Sequence, residues 1–176
     1  MHWNRMRTRA VALAAAGTLG ATLLVSPGFA QGALAPSAAT TMGARSEHRA
    51  LVRELRRQVV EMALTRTGAA YVTAGVGPDQ FDCSGLVMWV YQQVTGTVLP
   101  HYSGAQMDVA TPVDPLAKLR RGDLLFYGPD GSQHVAIYMG HGMQIGANNP
   151  RTGIVVEPMN SSYWTERYVG AGRIIQ

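Results

Sequence analysis

The sequence contains a single cysteine, Cys83, among 176 residues. One cysteine excludes a disulfide framework, a four-cysteine zinc site and a Cys-x-x-Cys redox motif. The sequence also lacks a glycine-rich phosphate loop after a strand, a His-Glu-x-x-His zinc motif and an Asp/Asn-rich calcium loop, so we expect no cofactor and no metal. Aromatic residues make up only 7% of the chain, and their positions on apolar faces favour core packing over the stacking of nucleic-acid bases.

Acidic residues are absent from residues 1–30, where three arginines precede the uncharged run of residues 10–25. A basic start, an apolar stretch and a small-residue exit are typical of a secretory signal peptide. The apolar run is too short, and too rich in Ala and Gly, to favour a membrane anchor. We therefore predict an exported protein that has no membrane attachment once the signal is removed, and cleavage after Ala30 or after Ala35 fits the pattern.

The basic character of the chain is concentrated near its beginning. The formal net charge is +4, yet residues 66–176 contain seven basic and eight acidic residues. A nucleic-acid-binding domain would carry its positive charge on the folded part, so we predict no nucleic-acid partner.

Residues 31–46 are rich in Ala, Ser, Thr and Gly and predict a flexible leader. From Glu47 onward, apolar residues recur every three to four positions and predict an amphipathic helix over 47–65, with Ser46 as its N-cap and Gly68 as its stop. No repeat or second domain is indicated. We expect residues 47–176 to form one domain, with its core in 66–176, and expect the protein to be a monomer.

Cys83 lies between a loop rich in Gly and Pro and an apolar helical pattern that follows it. This places the cysteine in the first turn of a helix, where free backbone N–H groups and the helix dipole favour an anion. A thiolate at such a position has a lowered pKa and is a nucleophile, and the same N–H groups can stabilise an oxyanion. The alternative is a small buried hydrophobic residue, but an unpaired thiol in an exported protein favours a reactive one.

A nucleophilic cysteine needs an imidazole to take and return a proton. His134 opens a predicted strand directly after a polar turn, a position that is rigid and still open to a cleft, and we take it as the general base. His101 lies in a loop and is the second choice. His141 lies in a Gly-His-Gly turn and is predicted to be an exposed hairpin tip, and His48 lies near the leader.

Several short motifs occur in an order that resembles the NlpC/P60 family of cell-wall peptidases. This resemblance implies an α+β, papain-like fold in which the nucleophile helix packs on an antiparallel sheet that carries the histidine. It also implies a secreted cysteine endopeptidase that hydrolyses an amide bond in peptidoglycan stem peptides, commonly the D-γ-glutamyl-diamino acid bond. The motifs are Gly68-Ala69-Ala70-Tyr71, Phe81-Asp82-Cys83-Ser84-Gly85-Leu86, Leu99-Pro100, Gly122-Asp123-Leu124, His134-Val135-Ala136-Ile137-Tyr138 and Val169-Gly170-Ala171-Gly172-Arg173.

The resemblance also assigns roles to individual residues. It implies Cys83 as the nucleophile, His134 as the base and Tyr71 as a hydroxyl facing the developing oxyanion. Asp82 and Ser84 match positions that line the substrate groove. His101 stands where an arginine is frequent in the family, at a contact to a substrate carboxylate.

The sequence departs from the family at the third position of the triad. There the family usually has a second histidine or another polar residue that orients the base, and this sequence has Gly146. Gln144 and Asn148 lie two residues to either side, on the same face of a regular strand. Either side chain, a backbone carbonyl or a water molecule can take the place of the missing group.

Two other functions are open at this point. The absence of a polar side chain at Gly146 favours a module that binds peptidoglycan peptides and cleaves them weakly or not at all. The retained Cys83, His134 and Tyr71 favour a peptidase. An amidase or acyltransferase could use the same nucleophile, because fold and triad do not define the acceptor. In each case the partner is a peptidoglycan peptide or a related amide or ester, and the expected location is extracytoplasmic, at the cell wall or secreted.

Overall fold

The structure, a computed structural model, describes residues 38–176, with side chains from Thr41 onward. The predicted signal peptide and the beginning of the predicted leader lie outside the described residues. The described residues 38–176 belong to one compact unit.

The first helix, α1, spans Ala38–Leu64 and begins earlier than the predicted start at Glu47. Residues 38–46 contain no proline, and Gly43 is tolerated because nothing lies within 4 Å of the position of its missing Cβ. Ser46 is not an N-cap but an internal residue, whose Oγ donates to the Gly43 carbonyl at 2.7 Å. Most residues from 42 to 51 are exposed, and α1 joins the core only from Arg56 and Val59 onward.

Six antiparallel strands form the main sheet in the order β3-β8-β4-β5-β6-β7. They all come from the second half of the chain, and short turns join β5 to β6 and β6 to β7. A separate short parallel pair joins β1 to β2 beside the second helix. The strands are β1 Ala70–Tyr71, β2 Gln80–Phe81, β3 Thr111–Pro112, β4 Leu124–Tyr127, β5 His134–Gly140, β6 Met143–Asn149, β7 Gly153–Pro158 and β8 Tyr168–Arg173.

The remaining helices cover both faces of this sheet. α2 spans Cys83–Thr95, and its apolar side packs with the end of α1 on the sheet face that carries Phe126, Val135 and Ile137. The opposite face carries Tyr127 and Ala136 and is covered by Trp164. The other helices are α3, Ser103–Val109, and α4, Ser162–Arg167, and short 3-10 turns occupy Leu116–Lys118 and Pro129–Gly131.

A buried carboxylate ties these layers together. Asp123, at the start of β4, accepts hydrogen bonds from Arg173 Nε at 2.8 Å and Arg173 Nη2 at 2.7 Å. The same carboxylate lies 3.6 Å from Nη1 of Arg56 on α1. The aspartate therefore pairs with basic side chains from the first helix and the last strand, which gives the Gly-Asp-Leu motif a structural role.

The predicted α+β class and the antiparallel sheet with a nucleophile helix packed on it are confirmed. β5 begins at His134, and His141 forms the exposed tip of the β5–β6 hairpin with a left-handed φ of 54°, as the turn pattern predicts. Within residues 38–176, no helix is both long and apolar enough to span a membrane.

Candidate active site

Cys83 is the first residue of α2, as the sequence predicts. Asp82 is the N-cap residue, and its Oδ1 accepts a hydrogen bond from the Gly85 N–H at 2.7 Å. This cap holds the first turn, so that the sulfur lies beside N–H groups without helical partners. The thiol is partly buried.

Gly85 is required in the Asp-Cys-Ser-Gly motif because the loop before β2 approaches the helix here. A Cβ atom at this position would lie 1.9 Å from the carbonyl oxygen of Gly75. That same carbonyl accepts the Asp82 N–H at 2.9 Å. The contact fixes the position of the residue directly before the nucleophile.

The protonation state of Cys83 differs from the expectation for a helix start. Burial raises the pKa of the Cys83 thiol, and the negative charge of Asp82 raises it further. Backbone N–H groups of Val135, Ser84 and Cys83 act in the opposite direction by stabilising the thiolate. The predicted lowering of this pKa is therefore wrong, because desolvation outweighs the N–H groups, and the free protein holds a neutral thiol.

Tyr71 lies on β1 next to the start of α2. Burial raises the pKa of its hydroxyl, followed by the charges of Cys83 and Asp82. The coupling to both residues indicates that the phenol lies close to the nucleophile, where the resemblance places it. A neutral phenol can donate a hydrogen bond to an oxyanion.

Three of the predicted groove residues form one hydrogen-bonded group. The Ser84 hydroxyl donates to Asp82 Oδ1 at 3.0 Å, and His101 Nε2 lies 2.9 Å from Asp82 Oδ2. Both oxygens of the Asp82 carboxylate are thus engaged by the protein itself. His101 is therefore a neighbour of Cys83 through Asp82, and its ring remains partly exposed at the site.

Gln106, whose role was not predicted from the sequence, supports the hydrogen-bonded group of Asp82, Ser84 and His101. Gln106 on α3 is fully buried, and its Nε2 donates to the carbonyls of Ser84 at 2.9 Å and Pro100 at 2.8 Å. It thereby joins the turn after the nucleophile to the loop that carries His101. A polar residue within the short α3 pattern was the only signal in the sequence.

His134 stands at the start of β5 and is 7% exposed. The Trp164 indole stacks on its imidazole, with ring centroids 4.8 Å apart and an interplanar angle of 29°. Burial lowers the pKa of His134 to about 4, so the imidazole is neutral at physiological pH. A neutral imidazole can accept a proton, which is what a general base requires.

The start of β5, which carries His134, lies beside the thiol of Cys83. Within the described part of the chain, no hydrogen bond or ion pair joins the thiol to the imidazole, and the backbone N–H of Val135, the residue after His134, acts to lower the pKa of the thiol. Catalytic hydrogen bonds in substrate-free enzymes are often longer than in the reacting complex. The structure therefore places the two residues at one site without an ion pair between them.

Gly146 lies on β6 beside His134. A Cβ atom at this position would lie 3.1 Å from His134 Nε2 and 3.2 Å from Asn148 Oδ1. Both of those atoms are buried and have no hydrogen-bond partner among the described residues. Gln144, by contrast, is engaged by the Tyr127 hydroxyl, which donates to its Oε1.

The sequence also did not reveal the role of Trp164 beside the imidazole, because the position of this residue predicts only core packing. It lies on α4, thirty positions after His134, and no local pattern links the two.

Among the described residues, no group of three or more His, Cys, Asp or Glu side chains could hold a metal ion.

Comparison with known proteins identifies relatives of this arrangement. Residues 68–173 match the model of the NlpC/P60 family. The peptidoglycan endopeptidase RipB of Mycobacterium tuberculosis is 37% identical over 146 residues, which cover 76% of this chain and 59% of RipB. The peptidoglycan endopeptidase RipA of the same species is 43% identical over 94 residues, covering 53% of this chain and 20% of RipA.

The solved structures agree with these sequence matches. The structure of the peptidoglycan hydrolase RipB from Mycobacterium tuberculosis superposes with a TM-score of 0.63 at 32% identity, covering 77% of this chain and 72% of that one. A family protein from Bacillus cereus superposes with a TM-score of 0.65 at 31% identity, covering 69% and 40%. This chain covers less than two thirds of the length of the RipA and RipB sequences above.

Proposed function

The chain belongs to the NlpC/P60 family, and from that membership and the geometry around Cys83 we propose that it is a cysteine peptidase that hydrolyses an amide bond in peptidoglycan stem peptides. The RipA and RipB relatives are named as peptidoglycan endopeptidases, which supports this substrate class. The bond we propose is the one between D-γ-glutamate and the diamino acid, on the resemblance of the Cys83 and His134 motifs to those of the family.

In the first half of the proposed reaction, the Cys83 sulfur attacks the amide carbon while His134 Nδ1 takes the thiol proton. The negative charge that develops on the carbonyl oxygen is stabilised by the Cys83 N–H and the Tyr71 hydroxyl. The C–N bond then breaks, and the leaving amine takes the proton from His134. The product of this half is a thioester on Cys83.

In the second half, water attacks the thioester carbon while His134 takes a proton from it. The tetrahedral intermediate uses the same two hydrogen-bond donors, and its collapse returns the proton to the Cys83 sulfur. The neutral states of the thiol and imidazole fit this sequence, because the proton moves during the attack and no ion pair has to exist beforehand.

The groove beside the nucleophile is formed by Asp82, Ser84 and His101. Since both Asp82 oxygens are engaged by neighbours, we assign direct contact with a substrate carboxylate to the exposed part of His101. The full chain would be exported on residues 1–30 and act outside the cytoplasm, at the cell wall, with residues 47–176 as a monomeric catalytic domain and no cofactor.

One observation carries this proposal: Cys83 begins α2, two residues after the Phe81 that pairs with Tyr71, and the N–H that follows His134 stabilises its thiolate. The test is incubation of purified residues 31–176 with muropeptides of several stem types, followed by mass spectrometry. We expect two new fragments from wild type and none from Cys83→Ala. Identical traces from both proteins on every stem type would refute hydrolysis.

A second function, binding without cleavage, is favoured by the glycine at position 146 and by the raised pKa of the Cys83 thiol. A binding module would retain the same muropeptides equally well in wild type and Cys83→Ala and release no fragment from either. An acyltransferase would instead give a product heavier than the free acid by the mass of the acceptor minus that of one water molecule. The masses of the products therefore separate hydrolysis from acyl transfer, and retention of uncleaved muropeptides by both proteins identifies a binding module.

A further inference from the structure

Asn148 lies at an irregularity of the sheet. β5 and β6 pair Ile137 with Ile145 and Tyr138 with Gln144, and continuing that register brings residue 148 opposite His134. On its other side, β6 shifts register against β7 between Ala147 and Asn149. A bulge of this kind re-aims a side chain, and here the re-aimed residue is Asn148.

The orientation of the Asn148 amide follows from its chemistry. Its Nδ2 donates to the carboxylate of Glu157 on β7. A carboxylate can only accept hydrogen bonds, so the amide nitrogen faces Glu157 and the oxygen faces the other way. The other way is toward Gly146 and the imidazole, since Oδ1 lies 3.2 Å from the point where a Gly146 Cβ would stand.

The imidazole presents a matching donor from the opposite side. His134 Nε2 lies 3.1 Å from that same point, is buried and has no partner among the described residues. A buried polar atom without a partner destabilises the folded state. His134 Nε2 and Asn148 Oδ1 therefore border the same small space beside Gly146, and an N–H on Nε2 would supply the donor that Oδ1 lacks among the described residues.

We propose that Asn148 is the residue that orients His134, with its Oδ1 accepting the Nε2–H of the imidazole, and that Gly146 is required because a side chain there would separate the two groups. This proposal rests on the proposed function and extends it to the third member of the triad. Asn148 acts through His134 and does not touch the substrate, so it is a positioning residue.

The contact determines which ring nitrogen carries the proton. A neutral imidazole has one N–H, and an acceptor at Nε2 fixes it there. Nδ1 is then left with a lone pair, ready to take the proton from Cys83. Glu157 contributes indirectly, because its carboxylate binds the Asn148 amide nitrogen and so keeps the Asn148 oxygen turned toward the ring.

Gln144 does not compete for this role. It is buried on the same strand, but its Oε1 accepts from the Tyr127 hydroxyl, and it pairs across the sheet with Tyr138 rather than with the histidine. Of the two candidate substitutes for the third triad member, the geometry selects Asn148.

The experiment measures the His134 tautomer and the kinetics in the full chain. In nitrogen-resolved NMR spectra of neutral protein, we expect wild type to carry the proton on Nε2, and Asn148→Ala to show a mixture of both tautomers. With muropeptide substrate, we expect Asn148→Ala to lower kcat about 10- to 100-fold with little change in KM, the usual range for a partner that orients a catalytic group.

Two further variants isolate the contact. Asn149→Ala removes an amide from the adjacent position, where it supports only the β6–β7 turn, and should leave the tautomer as in wild type. Asn148→Asp combined with Glu157→Gln reverses the polarity of the pair while retaining an acceptor toward His134, and should restore the Nε2–H tautomer and most of kcat.

An unchanged tautomer in Asn148→Ala would overturn the proposal, as would failure of the double variant to restore it in a folded protein. The NMR readout needs no turnover. If wild type cleaves no muropeptide but the tautomer responds as expected, the peptidase function fails while the Asn148 contact stands. If wild type cleaves muropeptides but the tautomer does not respond, the peptidase function stands and the Asn148 proposal fails.

Discussion

The Trp164 indole lies stacked on the His134 imidazole, 4.8 Å between ring centroids. Tyr127 borders the same imidazole, with its ring centroid 5.9 Å away. These aromatic rings exclude water from the proposed base, and this desolvation is the physical cause of its low pKa. The proposed catalytic base is thus kept neutral by packing rather than by a charged partner.

Removal of the indole should reverse this effect. In Trp164→Leu we expect the pKa of His134 to rise from about 4 toward its ordinary value of 6.5, because water gains access to the ring. The measurement is an NMR titration of the ring protons. Trp89→Leu, which removes a tryptophan packed on Phe81, is the matched control and should leave the titration unchanged; an equal shift in both variants would argue against the stacking explanation.

The low pKa of His134 also makes folding dependent on pH. Between about pH 6.5 and 4 the unfolded chain binds a proton at this histidine and the folded chain does not, so the free energy of unfolding falls as the pH falls. The full effect is roughly 3 kcal/mol. We expect urea unfolding at pH 7 and pH 4 to show a smaller loss for His134→Phe than for wild type, by about that amount.

Other groups titrate in the same range, and the comparison with His134→Phe removes their contribution. The substituted ring retains the aromatic contact with Trp164. Equal losses of stability in the two proteins would contradict a buried neutral histidine.

Cys83 should react slowly at neutral pH in the free protein. Since burial and Asp82 raise the pKa of the thiol above its ordinary value of 9.0, the rate of alkylation by iodoacetamide should continue to climb beyond pH 9. Asp82→Asn removes the negative charge and keeps an oxygen for the helix cap, so its rate at pH 8 should rise several-fold. Asp79→Asn, a neutralised aspartate in the preceding loop, serves as the control, and a plateau below pH 8 in wild type would show that the thiol is acidic.

Gly85 should tolerate no side chain. Gly85→Ala places a methyl group 1.9 Å from the Gly75 carbonyl oxygen, and one of the two backbones has to move. We expect a loss of at least about 3 kcal/mol in the free energy of unfolding together with loss of activity. Gly43→Ala, at an open position in α1, should instead gain up to about 1 kcal/mol, and thermal unfolding of both variants measures the contrast.

Local patterns in the sequence were sufficient for much of the fold. The Gly/Pro-rich loop before an apolar helix located Cys83 at a helix start, and the turn before an apolar strand located His134 at the start of β5. Helix and strand periodicity are properties of neighbouring residues. For the same reason the Gly-His-Gly turn identified the hairpin at His141.

The features that the sequence did not predict depend on residues far apart in the chain, or lie where the sequence has no periodic pattern. Residues 38–46 of α1 have no apolar stripe in the sequence, so periodicity could not locate the start of the helix at Ala38. The pKa of Cys83 follows from burial by the folded protein, which a helix-start argument does not contain. Asn148 differs from Gln144 in its register against β5 and β7 and in lacking the Tyr127 hydrogen bond that Gln144 accepts, and the sequence of a single strand reveals none of these.

The Asp82 carboxylate has a consequence for how this site can change. One of its oxygens holds the helix that carries the nucleophile, and the other holds His101 at the groove. Its charge also acts on the thiol, so a permanently cationic residue at 101 would offset that charge and make Cys83 more acidic. The substrate contact that we propose for His101 and the pKa of Cys83 are therefore linked, so a substitution at position 101 would change both.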